Sequence, residues 1–145
     1  MATILEVSKK TVEVLMVEDH AADSFFMRQA LKNSRHPIHV EMITDGETAL
    51  EYLRRQAGRG SLPDLILLDL SLPGKDGREV LAEIKVDPRL ENIPLVVVSG
   101  SSNASDVLDS RELESDFYLV KPLNMLEFPA LPRVVDRILE GRAKG

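Results

Sequence analysis

The chain has 145 residues, about the size of one ordinary domain, and 43% of them are hydrophobic and 29% charged. The 18 lysines and arginines against 24 aspartates and glutamates give a formal net charge of −6, which argues against binding to nucleic acid or to an anionic membrane. The absence of cysteine excludes disulfides, thiolate catalysis and cysteine-ligated zinc. No apolar run reaches the roughly 20 residues of a membrane span, and no signal-peptide pattern is present, so we expect a cytoplasmic domain.

Strands and helices alternate after a loose N-terminal arm, which we assign to residues 1–10. Short apolar runs predict five strands, over 12–17, 38–43, 65–68, 94–99 and 116–120. Between and after them, apolar residues at helical spacing predict helices over 21–33, 48–56, 77–86 and 105–113, and a last helix that reaches toward residue 142. Because proline is tolerated only in a first turn, Pro129 and Pro132 predict a late start for the last helix, nearer Pro132.

This alternation determines the predicted fold class. Five βα units with short loops favour right-handed crossovers and a parallel sheet that is covered by helices on both faces. We therefore predict an α/β, flavodoxin-like (βα)5 three-layer sandwich whose five parallel strands lie in the order 2-1-3-4-5. The loops are too short to contain a domain boundary, so we expect one domain over residues 11–145.

Polar side chains follow four of the five predicted strands. Glu18 and Asp19 follow strand one, Asp69 follows strand three, Ser99 ends strand four and Lys121 follows strand five. The carboxyl ends of parallel strands share one edge of the sheet, so we expect these side chains to converge. Clustered carboxylates repel one another unless a cation lies among them, and an all-oxygen set suits Mg²⁺. A lysine and a hydroxyl beside them suit a phosphoryl group, which an aspartate can accept.

Four sequence motifs carry a resemblance to a known family. They are Val-Glu-Asp at 17–19, Leu-Asp-Leu-Ser-Leu-Pro-Gly-Lys-Asp-Gly at 68–77, Val-Val-Val-Ser-Gly at 96–100 and Tyr-Leu-Val-Lys-Pro at 118–122. In this order and spacing they resemble the receiver domain of two-component response regulators, over about residues 11–141. The stretch 76–85 further resembles single-domain regulators that are paired with bacterial and cyanobacterial phytochromes.

The resemblance implies a role for each residue at the site. It assigns Asp69 as the phosphoacceptor, and Glu18 and Asp19 as metal-site acids. The backbone carbonyl of Ser71 would be a further Mg²⁺ ligand, beside Asp69 itself.

The remaining assignments concern the phosphoryl group and the switch. The resemblance implies that Ser99 bonds a phosphoryl oxygen and that Lys121 pairs with it. Tyr118 matches the aromatic switch residue, which turns inward as the hydroxyl of Ser99 moves toward the phosphate. Pro122 matches a proline that often follows a cis peptide bond.

The implied function is that of a stand-alone response regulator without an output domain. A sensor histidine kinase, with a phytochrome as one candidate, would phosphorylate it, and it would signal to a protein partner. The family's usual signalling face, made by the fourth helix, fifth strand and fifth helix, would also support a homodimer. The chain departs from the family's common Gly-Ala before strand five, where it has Glu-Ser-Asp-Phe at 114–117.

Two rival functions remain open beside that of a response regulator. An aspartate-nucleophile phosphohydrolase usually carries a second aspartate two residues after the first, where this chain has Ser71. An adaptor that works without phosphorylation would not need Asp69 or Lys121. We predict that none of the histidines, His20, His36 and His39, is catalytic, and that His20 faces solvent near the site.

Overall fold

The computed structural model describes residues 10–100 and 115–143. The predicted helix over 105–113 and residues 1–9 of the predicted arm lie outside this part of the chain. No helix in the described ranges is long and apolar enough to cross a membrane.

Five parallel strands form one sheet, as predicted. They are β1 (Val12–Val17), β2 (Ile38–Ile43), β3 (Leu65–Leu68), β4 (Leu95–Ser99) and β5 (Phe117–Val120). Their order is β2-β1-β3-β4-β5, which confirms the flavodoxin-like prediction. The central strand β3 is buried along its whole length, because helices cover both faces of the sheet.

Four helices lie in the described residues: α1 (Ala21–Leu31), α2 (Gly46–Gly58), α3 (Gly77–Val86) and the C-terminal helix (Ala130–Ala143). Two apolar clusters, one on each face of the sheet, hold them in place. Successive residues of β3 alternate between the clusters, with Ile66 and Leu68 in one and Leu65 and Leu67 in the other. The first cluster includes residues of α2 and α3, and the second includes residues of α1 and the C-terminal helix.

Helix α2 begins two residues earlier than predicted. Asp45 is its N-cap, and the side chain of Asp45 accepts a hydrogen bond from the amide of Thr48 at 2.9 Å. This bond lowers the pKa of Asp45 below its usual value. Gly46 is the first helical residue, and a Cβ there would lie 2.4 Å from Val80 Cγ2. Glycine therefore lets α2 approach α3 closely.

The entry to β5, where the chain departs from the family pattern, is fixed by Asp116. Its carboxylate accepts a hydrogen bond from the amide of Leu95 at 2.7 Å, and its own amide donates to the carbonyl of Leu95 at 2.9 Å. The paired bonds align the start of β5 with the start of β4. They also explain why the regular strand begins at Phe117, one residue later than predicted.

Two expectations about prolines need correction. The C-terminal helix begins at Ala130, so Pro132 lies inside its first turn rather than marking its start. No cis peptide bond occurs in the described residues, so the bond between Lys121 and Pro122 is trans and the prediction of a cis bond was wrong. For a bond before proline, the trans form is intrinsically favoured by about 0.5–1 kcal/mol. The cis form therefore needs tertiary contacts that select it, and a sequence motif alone does not show whether those contacts exist.

Candidate functional site

The predicted site residues meet at the carboxyl edge of the sheet around Lys121. Its Nζ lies 3.0 Å from Asp69 Oδ2 and 3.0 Å from Asp23 Oδ2, and it also donates a short hydrogen bond to Glu18 Oε1. The Lys121 side chain is only 9% exposed. One ammonium group is therefore shared by three carboxylates: Glu18 directly after β1, Asp23 in α1 and Asp69 directly after β3.

Four side chains beside this lysine could hold a metal ion. Glu18, Asp19, His20 and Asp69 each place one ligand atom so that all four atoms lie within 4.8 Å of one another. Glu18 and Asp69 are buried, whereas Asp19 and His20 face solvent. The set is thus open on one side, where a ligand could enter.

Backbone hydrogen bonds across the sheet position the two buried acids. The amide of Glu18 donates to the carbonyl of Ile43 at 3.0 Å, and the amide of Asp69 donates to the carbonyl of Val17 at 3.0 Å. Both acids therefore continue the strand pairing for one residue beyond the regular strands. This places their side chains where the sheet ends and the loops open.

The loop after Asp69 folds closely back on the strand. The amide of Gly77 donates to the carbonyl of Leu70 at 3.1 Å, and a Cβ on Gly77 would lie 2.4 Å from the carbonyl oxygen of Asp69. The start of α3 can approach the backbone of Asp69 and Leu70 only because residue 77 lacks a side chain. Asp76 caps this helix by accepting a hydrogen bond from the amide of Arg78 at 2.8 Å.

The two oxygens of Asp69 have different partners. Oδ1 accepts a hydrogen bond from the amide of Ser71 at 2.9 Å, and Oδ2 faces Lys121. The carboxylate is held at both ends, and Asp69 is 3% exposed. A side chain held in one orientation loses little further entropy when it binds a ligand or reacts.

The electrostatics of the site keep the lysine charged. Burial acts to lower the pKa of Lys121, but the hydrogen bonds to Glu18, Asp23 and Asp69 outweigh it and raise the pKa well above its usual value. Burial raises the pKa of Glu18, as does the nearby Asp69, although the Lys121 hydrogen bond opposes both. The site carries more carboxylates than the single ammonium can neutralise, so a further cation is favoured there.

Ser99 lies at the end of β4, and Tyr118 lies on β5, the strand that Lys121 follows. Ser99 is completely buried at the end of β4, and its carbonyl accepts a hydrogen bond from the amide of Lys121 at 2.8 Å. Tyr118 is opposite Val97 in the β4–β5 register and packs, partly buried, against the cluster that includes α2 and α3. Both residues are adjacent to the site through the backbone of β4 and β5.

Sequence reasoning missed Asp23 altogether, and it placed His20 near the site without considering it as a ligand. Asp23 contacts Lys121, and its signal was its place in the first turn of α1, five residues after Glu18. His20 is exposed, as predicted, but its Nδ1 lies 3.4 Å from Asp19 Oδ1 and 3.5 Å from Glu18 Oε2. Its position directly after the Glu-Asp pair could have drawn attention to it.

The donor set fits a hard divalent cation. Three carboxylates supply oxygen, the preferred ligand of Mg²⁺, and the two buried ones are fixed by the backbone. Ligand atoms bound to one octahedral ion at 2.0–2.1 Å lie about 3–4 Å apart. The ligand atoms of this cluster lie within 4.8 Å of one another, so small side-chain movements would bring them onto one ion.

Comparison with known proteins gives consistent matches. The sequence model of the family "Response regulator receiver domain" matches residues 14–131 of this chain. Response regulator Rcp1 of Synechocystis is 46% identical over 114 residues, which cover 77% of this chain and 78% of Rcp1. The crystal structure of the phosphorylated cyanobacterial phytochrome response regulator RcpA has a TM-score of 0.77 and 44% identity, covering 90% of this chain and 93% of RcpA. The Mn²⁺-bound form of Rcp1 has a TM-score of 0.73 and 43% identity, covering 88% and 91%.

Proposed function

Because this chain belongs to the response regulator receiver domain family, we propose that it accepts a phosphoryl group on Asp69 from the phosphohistidine of a sensor histidine kinase. The observation that carries the proposal is the distance of 3.0 Å between Lys121 Nζ and Asp69 Oδ2, inside a cluster of buried carboxylates. A lysine held there compensates the negative charge that phosphorylation adds.

In the proposed reaction, a carboxylate oxygen of Asp69 attacks phosphorus as the bond from phosphorus to the donor imidazole nitrogen breaks. The imidazole leaves with the electron pair and takes a proton from water. Lys121 neutralises a phosphoryl oxygen, and the amide of Ser71 keeps the carboxylate oriented. The chain thereby assists its own phosphorylation. Hydrolysis of the acyl phosphate would release inorganic phosphate and restore the free carboxylate of Asp69.

Glu18, Asp19 and Asp69, with the backbone carbonyl of Ser71, are the proposed ligands of Mg²⁺. The bound ion would supply positive charge for the phosphoryl oxygens. The surplus of carboxylates over ammonium groups at the site supports this assignment.

We assign the switch to Ser99 and Tyr118. Ser99 is buried directly beside the backbone of Lys121, so a phosphoryl group on Asp69 would offer its hydroxyl a strong acceptor. A shift of Ser99 would change the packing next to Tyr118, which lies on the adjacent strand and contacts the apolar core. The conformational change would alter the surface formed by β5 and its neighbouring helices. This surface would bind a protein partner or a second copy of the chain.

The proposed partner is a kinase of the phytochrome type, supported by the similarity to RcpA and Rcp1. The match covers 78% of Rcp1, which supports one receiver domain over residues 11–145. The formal net charge of −6 supports signalling to protein rather than to nucleic acid. The acidic, cysteine-free composition supports a cytoplasmic setting.

The test is phosphorylation by acetyl phosphate with Mg²⁺, followed by mass spectrometry of the intact protein. We expect an adduct of about 80 Da on the wild type and none on Asp69→Asn, which keeps the shape of the side chain but not its nucleophile. Asp64→Asn is the matched control, because Asp64 lies at the opposite end of β3.

An adduct that persists in Asp69→Asn would refute the acceptor assignment. Absence of any adduct on the wild type would favour the adaptor function, especially if partner binding is the same in Asp69→Asn. Steady release of phosphate from a phosphate monoester would instead favour a phosphohydrolase.

A further inference from the structure

We infer that His20 is a direct ligand of the ion at this site and shifts its preference from Mg²⁺ toward nitrogen-binding divalent metals such as Co²⁺. The inference rests on the proposed metal site and adds a residue to it. Its basis is the position of the imidazole beside Glu18 and Asp19.

The position of His20 is unusual for a residue that starts a helix. It occupies the N-cap of α1, yet its side chain makes no capping hydrogen bond. Instead, Nδ1 lies 3.4 Å from Asp19 Oδ1 and 3.5 Å from Glu18 Oε2. These separations fall in the range of about 3–4 Å expected for two ligand atoms on one octahedral ion.

The two oxygens of Glu18 are divided between the lysine and the histidine. Oε1 accepts from Lys121, whereas Oε2 accepts from the backbone amide of His20 at 3.2 Å and faces its imidazole. The side of the cluster that Lys121 does not occupy is therefore lined by His20 and Asp19. An ion that enters from solvent reaches this side first, because both residues are exposed.

The chemistry of the donors sets the expected selectivity. Carboxylates and carbonyls suit Mg²⁺ and Mn²⁺, whereas an imidazole nitrogen favours later transition metals such as Co²⁺, Ni²⁺ and Zn²⁺. Mg²⁺ keeps several waters and gains little from a nitrogen ligand. One imidazole added to three carboxylates should therefore raise the affinity for Co²⁺ much more than the affinity for Mg²⁺.

The first measurement compares the affinities of the full-length wild type and His20→Asn for Co²⁺ and for Mg²⁺ by calorimetric titration, with all four titrations in the same buffer. We expect His20→Asn to lower the ratio of Co²⁺ to Mg²⁺ affinity by about tenfold or more, with Mg²⁺ binding little changed. His39→Asn is the matched control, because His39 is also exposed and its Nδ1 lies 2.7 Å from Glu13 Oε2. This control should leave the ratio unchanged.

The second measurement detects the nitrogen directly. Electron spin-echo spectra of the Co²⁺-loaded protein should show nitrogen-14 modulation from an imidazole ligand in the wild type and in His39→Asn, but not in His20→Asn. Absence of this modulation in the wild type would overturn the inference, as would an unchanged affinity ratio in His20→Asn. The proposed function would survive either result provided that Mg²⁺ binds and Asp69 is phosphorylated, so the two failures are distinguishable.

Discussion

Asp23 Oδ2 lies 3.0 Å from Lys121 Nζ, on the side of the ammonium that faces solvent. The other two acids around this lysine, Glu18 and Asp69, belong to the proposed metal site, whereas Asp23 lies outside that cluster. Asp23 is therefore the residue that can still hold Lys121 in place when Glu18 and Asp69 bind a metal ion. Its side chain is 28% exposed, so solvent weakens this pair less than a surface salt bridge.

Replacing Asp23 should impair phosphorylation without abolishing it. We expect Asp23→Asn to slow phosphorylation by acetyl phosphate about fivefold, since loss of about 1 kcal/mol from a partly exposed ion pair corresponds to roughly that factor. Lys121→Ala should slow the reaction more, because it removes the ammonium itself. The rates can be followed by intact mass over time, and a faster reaction in Asp23→Asn would show that Asp23 acts mainly by repelling the phosphoryl group.

Mg²⁺ should stabilise the folded protein through the acidic cluster. At 100 times its dissociation constant a ligand adds about 2.7 kcal/mol, which corresponds to a rise in Tm of about 5–10 °C for a domain of this size. Asp19→Asn should lose most of this rise, and Asp64→Asn, at the other end of β3, should keep it. A thermal melt with and without Mg²⁺ measures the effect; an equal rise in both variants would exclude Asp19 from the site.

The close approach at Gly77 should make this position intolerant of any side chain. Because a Cβ would lie 2.4 Å from the backbone of Asp69 and Leu70, Gly77→Ala should cost about 1–3 kcal/mol in the free energy of unfolding. Gly58→Ala, at the end of α2 where nothing lies within 4 Å, should change stability by less than about 1 kcal/mol. Urea unfolding gives the free energy of unfolding of both variants. An equal value for the two would contradict the packing argument.

Asp136 should stabilise the contact between the C-terminal helix and the turn after α1. It is 6% exposed and accepts hydrogen bonds from the hydroxyl of Ser34 and, at 3.2 Å, from the amide of Arg35. Asp136→Ala would leave these donors unpaired and should cost about 1–3 kcal/mol.

The control for this prediction is Glu140→Ala on the same helix. Glu140 is 40% exposed and pairs with Arg35 at 2.7 Å, so its loss should cost no more than about 1 kcal/mol. Chemical unfolding compares the two variants. If Glu140→Ala were the more destabilising, the buried contact of Asp136 would not be the main link.

The sequence by itself determined the strands, their order and the central acid. Leu65–Leu68 is apolar on both faces, which suits a strand that is covered on both sides. The alternation of strands and helices then favours a parallel sheet and places Asp69 at the same edge as Glu18 and Lys121. These features depend on local pattern and on general rules of connection, so no knowledge of distant contacts was needed.

Only the tertiary structure decided the finer features of the site. Asp23 comes to Lys121, which is 98 residues away in the sequence, through the position of α1 beside the end of β5, and this position depends on how the helix packs on the sheet. The trans bond before Pro122 also depends on surrounding contacts, because the intrinsic difference between the two forms is about 0.5–1 kcal/mol. Packing therefore sets which neighbours the predicted residues meet, while the local pattern sets the edge of the sheet on which they meet.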